Sequence, residues 1–385
     1  MTTNNRPTLC FATMCKNEEH CIQNTLESVY KYIDYWVVCD TGSTDRTCEI
    51  VKTFFEEKGI PGELHVDEWV GFDVNKTLMM SRAKDKADYV MHLDADDLLV
   101  GDFEFKNEDA GYDAYYIPVK RGVAEWKAWI IFNNRVTWKF CGVAHTTIKC
   151  LEKPNGITSF GMTNRGFYIS GEGIGSRAFD PKKYYHDAVK LEKQFWDTLI
   201  DDPDDLNMRS AFYTAQSYMD SDMPEEALKW NTMYMKLNGG WIEEKFEAQM
   251  RISLCMMKLN YSHDRIIQEM ERAISMFPDR AEPNYHIGAF CNRIGRHQEA
   301  YTYLTKALSI DINKVKEKYI LFVDQEAYGK NLYDELSVAC FWTDRYQEGL
   351  NYLNQIIDDE KFSEHRERLL TNKRHFNDRL GIPNE

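Results

Sequence analysis

Residues 87–97 read Ala-Asp-Tyr-Val-Met-His-Leu-Asp-Ala-Asp-Asp, and this stretch decides the fold. Tyr89-Val-Met-His-Leu93 is an apolar, strand-sized run that breaks abruptly into Asp94-Ala-Asp96. Working outward, Val74–Lys86 before it has helical spacing, and Leu64–Val66 is a short strand. Further upstream, Tyr35-Trp-Val-Val-Cys39 is a strand that ends in Asp40-Thr-Gly-Ser-Thr-Asp45, a turn composition that opens a helix. Cys21–Ile33 is helical through Ile22, Leu26, Val29 and Ile33, and Thr8–Met14 is the first strand. Strand and helix therefore alternate, which predicts a mainly parallel sheet covered by helices. Ligands of such sheets bind at the carboxyl ends of the strands. Those ends carry Thr13, Asp40 and Asp94-Ala-Asp96.

Downstream the grammar changes twice. Residues 112–170 suggest short strands near 115–119, 128–132, 136–140, 146–150 and 166–169. Gly171-Glu-Gly-Ile-Gly-Ser-Arg177 reads as a mobile, glycine-rich loop. From Pro181 onward almost all periodicity is helical, and a weak helix–turn–helix repeat emerges. Gly288, Ala300 and Ala307 fall at the small-residue positions of a tetratricopeptide unit. Ala227, Ile266 and Gly349 mark further, unevenly spaced copies; a plain helical bundle is the alternative. The expected organisation is an α/β domain over 1–180 and an all-α repeat domain over 181–385.

Composition bounds the function. The 385 residues are 43% hydrophobic and 13% aromatic, which excludes a mostly disordered chain. The net charge of −15 is shared almost equally by 1–180 and 181–385, so it is a field and not a tail. Such a field argues against nonspecific nucleic-acid or anionic-membrane binding. No apolar run is long enough to span a bilayer, and no basic-then-apolar leader opens the sequence. Ten cysteines without a C-x-x-C pair read as reduced thiols of a cytoplasmic protein, not as a zinc site.

Asp94-Ala-Asp96 after a strand supplies alternate carboxylates for one Mg²⁺ or Mn²⁺, which offsets the charge of a nucleotide diphosphate. Taken alone it also reads as a helix cap with solvated acids. Asp40 can accept hydrogen bonds from a base or sugar, and Gly42 lets the backbone pass close to a ligand. Thr13 and Lys16-Asn-Glu-Glu19 close the first strand. Each cluster is explicable as a local turn; three of them on one crevice point to a site.

Met14-Cys-Lys-Asn-Glu-Glu19, Val37-Val-Cys-Asp-Thr-Gly-Ser-Thr-Asp-Arg-Thr47, Phe72-Asp-Val-Asn-Lys-Thr-Leu78 and residues 87–96 together resemble family 2 glycosyltransferases of the GT-A fold. With tetratricopeptide-like helices behind it, the chain resembles the branch that includes bacterial peptide S-glycosyltransferases and related viral or phage enzymes. The resemblance implies that Asp40 contacts uracil, with Thr13 and Glu18 or Glu19 in the same pocket. It implies that Asp94 binds ribose and assists the metal, and that Asp96 ligates the metal directly. Lys76 stands where the family usually has Arg, keeping the charge but losing the bidentate fork. Trp138-Lys-Phe-Cys-Gly-Val-Ala-His145 resembles a segment that usually ends in His-Glu, with Thr146 in place of the Glu. His145 is accordingly a candidate for metal, diphosphate or acceptor contact, beside the reading of a plain strand histidine. Glu125, beside Trp126, is the candidate general base, and a solvated loop acid is the alternative. Arg177 is the candidate clamp of a closing loop, against a simple linker.

The expected reaction is inverting, metal-dependent transfer of a hexose or N-acetylhexosamine from a UDP-sugar donor. The helical repeats would bind a peptide, protein or glycan acceptor, form a homodimer, or both. Two other classes compete. A non-catalytic scaffold would not need Asp40, Asp94 and Asp96 intact. A nucleotidyltransferase would carry a basic, glycine-rich loop where this chain has Lys16-Asn-Glu-Glu19.

Overall fold

The structure is a computed structural model, described here over residues 6–122 and 124–383. The chain divides into two compact units, 1–230 and 231–385. Strands give way to helices after Gly171, near the expected boundary at 180, but the first compact unit runs on to Trp230.

The first unit opens with β1 (Leu9–Cys15), α1 (Ile22–Val29), β2 (Tyr35–Asp40), α2 (Thr47–Lys58), β3 (Gly62–Val66), α3 (Phe72–Ala83) and β4 (Tyr89–His92). Then come β5 (Asp97–Val100), β6 (Ala114–Arg121), β7 (Ala124–Asn133), β8 (Trp138–Cys141), β9 (Thr147–Cys150), β10 (Ser159–Gly161) and β11 (Tyr168–Gly171). It closes with α4 (Lys183–Asp197), α5 (Asn207–Asp220) and most of α6 (Pro224–Lys236). The main sheet runs β3-β2-β1-β4-β7-β6-β11-β5, with β10 beside β6. The first four strands are parallel, as expected; β7 joins β4 antiparallel and turns the rest into a mixed sheet. β8 and β9 do not join it and form a separate ribbon.

The sheet is covered on both faces, which explains why its central strands read as unbroken apolar runs. Along β1, Leu9 and Phe11 enter one core with Ile22, Leu26, Val51 and Phe55 of α1 and α2. Cys10 and Ala12 enter the other with Met79, Met80 and Ala83 of α3. Trp36 and Val38 of β2 divide from Val37 and Cys39 in the same way, as a period of two requires. α2 stops at Gly59, whose φ of 67° is a left-handed cap that favours glycine. The ten cysteines are free thiols, and nine of them are buried.

The second unit is helical: α7 (Ile242–Lys258), α8 (His263–Met276), α9 (Glu282–Arg293), α10 (His297–Leu308), α11 (Ile312–Lys318), α12 (Lys330–Trp342), α13 (Tyr346–Asn354) and α14 (Arg366–Leu380). Successive helices pair as α7–α8, α9–α10 and α12–α13. The small residues sit where the repeat reading needs them. Ala300 and Ala307 are buried, and a Cβ on Gly288 would lie 2.4 Å from Leu304. A Cβ on Gly349 would lie 2.6 Å from Phe376. The wide gap between Ala300 and Gly349 is filled by α11 and an irregular segment. That segment is held by Arg280, fully buried, which donates to the carbonyls of Leu321 (3.2 Å) and Phe322 (3.0 Å) and to Glu282 (2.6 Å). Glu243 accepts from the amides of Ile320 (3.0 Å) and Leu321 (2.8 Å).

Candidate active site

The first unit contains a cleft of about 440 Å³ beside the carboxyl ends of β1 and β4. It is lined by residues that the sequence separates widely, among them Lys16, Glu18, Trp69, Phe72, Lys76, Asp94, Asp96, Arg121, Gly175, Arg177, Lys183 and Lys190.

The loops after β1 and β2 are laced into one wall. The Asn17 amide donates to Ser43 Oγ (2.8 Å), and the Thr44 amide donates back to Asn17 Oδ1 (2.8 Å). The Glu18 amide donates to Thr47 Oγ1 (2.8 Å). This is why Lys16-Asn-Glu-Glu19 and the 40–47 turn belong together. Glu18 lines the cleft; Glu19 does not, because its carboxylate accepts from the Arg46 amide (3.0 Å).

At the β4 end, Lys76 of α3 reaches across to Asp94, with Nζ 2.8 Å from Oδ1. The Asp94 side chain remains 58% exposed, and the Lys76 charge holds its carboxyl well below the usual range. Asp97 turns the other way. Burial, followed by the charges of Asp94 and Asp96, raises its carboxyl far above the usual range. His92, which the sequence reading passed over, sits behind them with Nε2 3.9 Å from Asp94. Its Nδ1–H donates to the Ala12 carbonyl (3.0 Å), and burial with the nearby Lys76 pushes its pKa down to about 4. It is therefore a neutral imidazole at neutral pH. The only sign of it in the sequence is one polar residue inside an apolar strand.

The glycine-rich segment is tied down, contrary to the mobile loop expected. The Gly175 amide donates to Asp96 Oδ2 (2.8 Å), and the Ser176 amide donates to Glu18 (3.0 Å). Ser176 Oγ donates to the Lys16 carbonyl (2.8 Å), and His20 Nε2 donates to the Ile174 carbonyl (2.8 Å). The approach at Gly175 is close: a Cβ there would lie 3.1 Å from the Asp96 carboxylate. Arg177 lines the cleft but is engaged, paired with Asp187 (2.7 Å) and stacked over Phe72 (4.8 Å).

The cleft thus brings together Glu18, Lys76, Asp94, Asp96 and Arg177. Five other candidates lie outside its lining. Thr13 is fully buried, because strand alternation sends it to the same face as Phe11 and Cys15, and its hydroxyl has no hydrogen-bond partner. Asp40 is buried and staples its own turn, accepting from the Gly42 and Ser43 amides (2.9 Å each). Glu19 belongs to the laced wall. Glu125 lies on β7 opposite Lys120 of β6. His145 is exposed and stacks on Tyr213 of α5, with ring centroids 4.2 Å apart. The carboxylate pair itself suits a hard divalent cation. Asp94 and Asp96 each spend one oxygen on a protein donor and retain the other.

Residues 10–103 match glycosyl transferase family 2. No curated protein matches the chain. Among solved structures, MamA is similar at 17% identity and a TM-score of 0.34, covering 51% of this chain and 94% of that one. A tetratricopeptide repeat protein from Parabacteroides merdae is similar at 12% identity and a TM-score of 0.34, covering 51% of this chain and 74% of that one. No helix among the described residues is long and apolar enough to cross a membrane. The strand-end acids Asp94 and Asp96 therefore lie in a segment that matches glycosyl transferase family 2, and a run of helices paired as hairpins follows it.

Proposed function

We propose that this chain transfers a hexose or N-acetylhexosamine from a UDP-sugar to a peptide, protein or glycan acceptor, with inversion at the anomeric carbon. The observation that carries this reading is Asp94-Ala-Asp96 opening into the cleft beside Lys76 and beneath the Gly175–Ser176 strap. Asp94 and Asp96 would hold Mn²⁺ or Mg²⁺, which supplies charge to the departing diphosphate. Lys76 adds a fixed cation that is already oriented by Asp94. The strap excludes water once closed, and its bonds to Glu18 and Asp96 are the contacts that must part for a donor to be seated. Asp40 contributes at one remove, by fixing the turn that carries Thr41 to the cleft.

The helical repeats are assigned acceptor recruitment, homodimer formation or both, since stacked hairpins present extended surfaces. A cytoplasmic location is part of the proposal: free, buried thiols persist in a reducing compartment. The test is incubation with Mn²⁺ and a panel of UDP-sugars, following UDP. Slow, metal-dependent release without acceptor is the expected result. No release, together with no thermal shift by any nucleotide, would overturn the reading.

A further inference from the structure

Four cations line the cleft without an acidic partner. Lys16, Arg121, Lys183 and Lys190 all face it, and among the described residues none has a carboxylate within 4.0 Å. The other two basic residues of the cleft are spoken for, Lys76 by Asp94 and Arg177 by Asp187. Four unpaired cations in one cavity are unexpected in a chain of net charge −15.

Their origin is informative. Arg121 ends β6, and Lys183 and Lys190 stand seven residues apart on α4, two turns along one helix face. All three lie outside residues 10–103, the segment shared with the family. Arg121 is anchored by its Nε–H donating to the Gly171 carbonyl (3.1 Å), so its charge is positioned. Lys183 is half-buried, and burial with the neighbouring Arg177 lowers its pKa against the opposing pull of Asp187 and Asp96. Set against Glu18, Asp94 and Asp96, a divalent cation and Lys76 leave a bound diphosphate two charges short, and Lys16, Arg121, Lys183 and Lys190 supply four, two more than it needs. The surplus calls for another anion.

We propose that the cleft binds a second anionic group beside the donor diphosphate, a carboxylate or phosphate held by Arg121, Lys183 and Lys190 and carried by either the transferred sugar or the acceptor. The inference rests on the nucleotide-sugar reading.

The test is calorimetry on the full chain with Mn²⁺, using UDP, UDP-glucose and UDP-glucuronate, then inorganic phosphate titrated into UDP-saturated protein. The same set is run on the Lys183→Gln, Lys190→Gln double variant, with its thermal melt as a check of folding. UDP-glucuronate binding about tenfold tighter than UDP-glucose, a preference lost in the variant, places the anion on the sugar. Phosphate binding to the UDP-saturated wild type but not to the variant, without a glucuronate preference, places it on the acceptor. Equal binding of both donors together with no phosphate binding overturns the inference and leaves the nucleotide reading intact. Failure of UDP itself to bind brings down the reading, and the inference with it. If the double variant does not fold, Arg121→Gln is judged by the same two criteria.

Discussion

The two units each concentrate charge, and they do so in opposite ways. In the first unit Glu18 and Asp96 are satisfied by amides of a surface strap, and Asp94 stays half open to the cleft. In the second, Arg280 is sealed among Glu282 and the carbonyls of 321 and 322. Both networks are nearly complete. The difference lies in what must move to change partners: a glycine-rich loop in one case, a packed core in the other. Charge alone therefore does not mark a site; charge whose partners can be exchanged does.

Four experiments break or sharpen this contrast. Arg280→Ala takes the cation away from Glu282, which keeps only the Tyr328 hydroxyl and the Asp324 amide, and removes the guanidinium donor from the carbonyls of Leu321 and Phe322. It should cost about 3–5 kcal/mol of stability, read by denaturant unfolding, as removal of one partner from a buried pair does. A loss under about 1 kcal/mol would mean that the network is not sealed. Asp96→Asn should lower UDP release by about a hundredfold or more, with circular dichroism unchanged, because a metal-held charge is worth several kcal/mol. Retained turnover would remove Asp96 from the machinery.

The third concerns pH. Burial raises the Glu247 carboxyl from 4.5 to about 7, with Arg251, Arg280, Glu282 and Asp324 around it. A raised carboxyl stabilises the fold while protonated, so its contribution is complete below about 4.5 and is lost as pH rises through about 7. Between pH 5 and 8, wild type should therefore lose about 2–3 kcal/mol relative to Glu247→Gln in paired urea melts. A difference that does not vary with pH would exclude the shift. The smallest effect is expected for Gly175→Ala. The added methyl presses on Asp96 and should weaken the strap by about 1 kcal/mol, seen as roughly fivefold faster amide exchange over 172–179. Unchanged exchange would show that the strap is not held through Gly175.

Local pattern made the parallel half of the sheet legible. The runs that became β1, β2 and β4, and the turns after them, were visible because each is continuous in sequence. β5 was not visible: Asp97–Val100 reads as a continuation of the acidic motif and is a strand only because β11 pairs with it from about seventy residues away. The site divides along the same line. Asp94, Asp96, Lys76 and Glu18 lie in or beside the motifs and reach the cleft. Arg121, Lys183 and Lys190 carry no local signal, since the fold alone collects them. Thr13 and Asp40, which lie in or beside the same motifs, do not reach it. A strand end points a chain towards a crevice, but the pleat and the turn decide where each side chain goes. In the second unit Gly288 and Gly349 betrayed their close helix contacts, whereas the inserted segment around Phe322 left only an irregular spacing.

The strap has a thermodynamic corollary. Because Gly175 and Ser176 already supply amides to one oxygen of Asp96 and to Glu18, a ligand that displaces the strap swaps those partners instead of adding them. The heat of that exchange is small, and the released loop regains conformational freedom. Selectivity must then be earned elsewhere in the cleft, by groups that stand unanswered until the ligand comes.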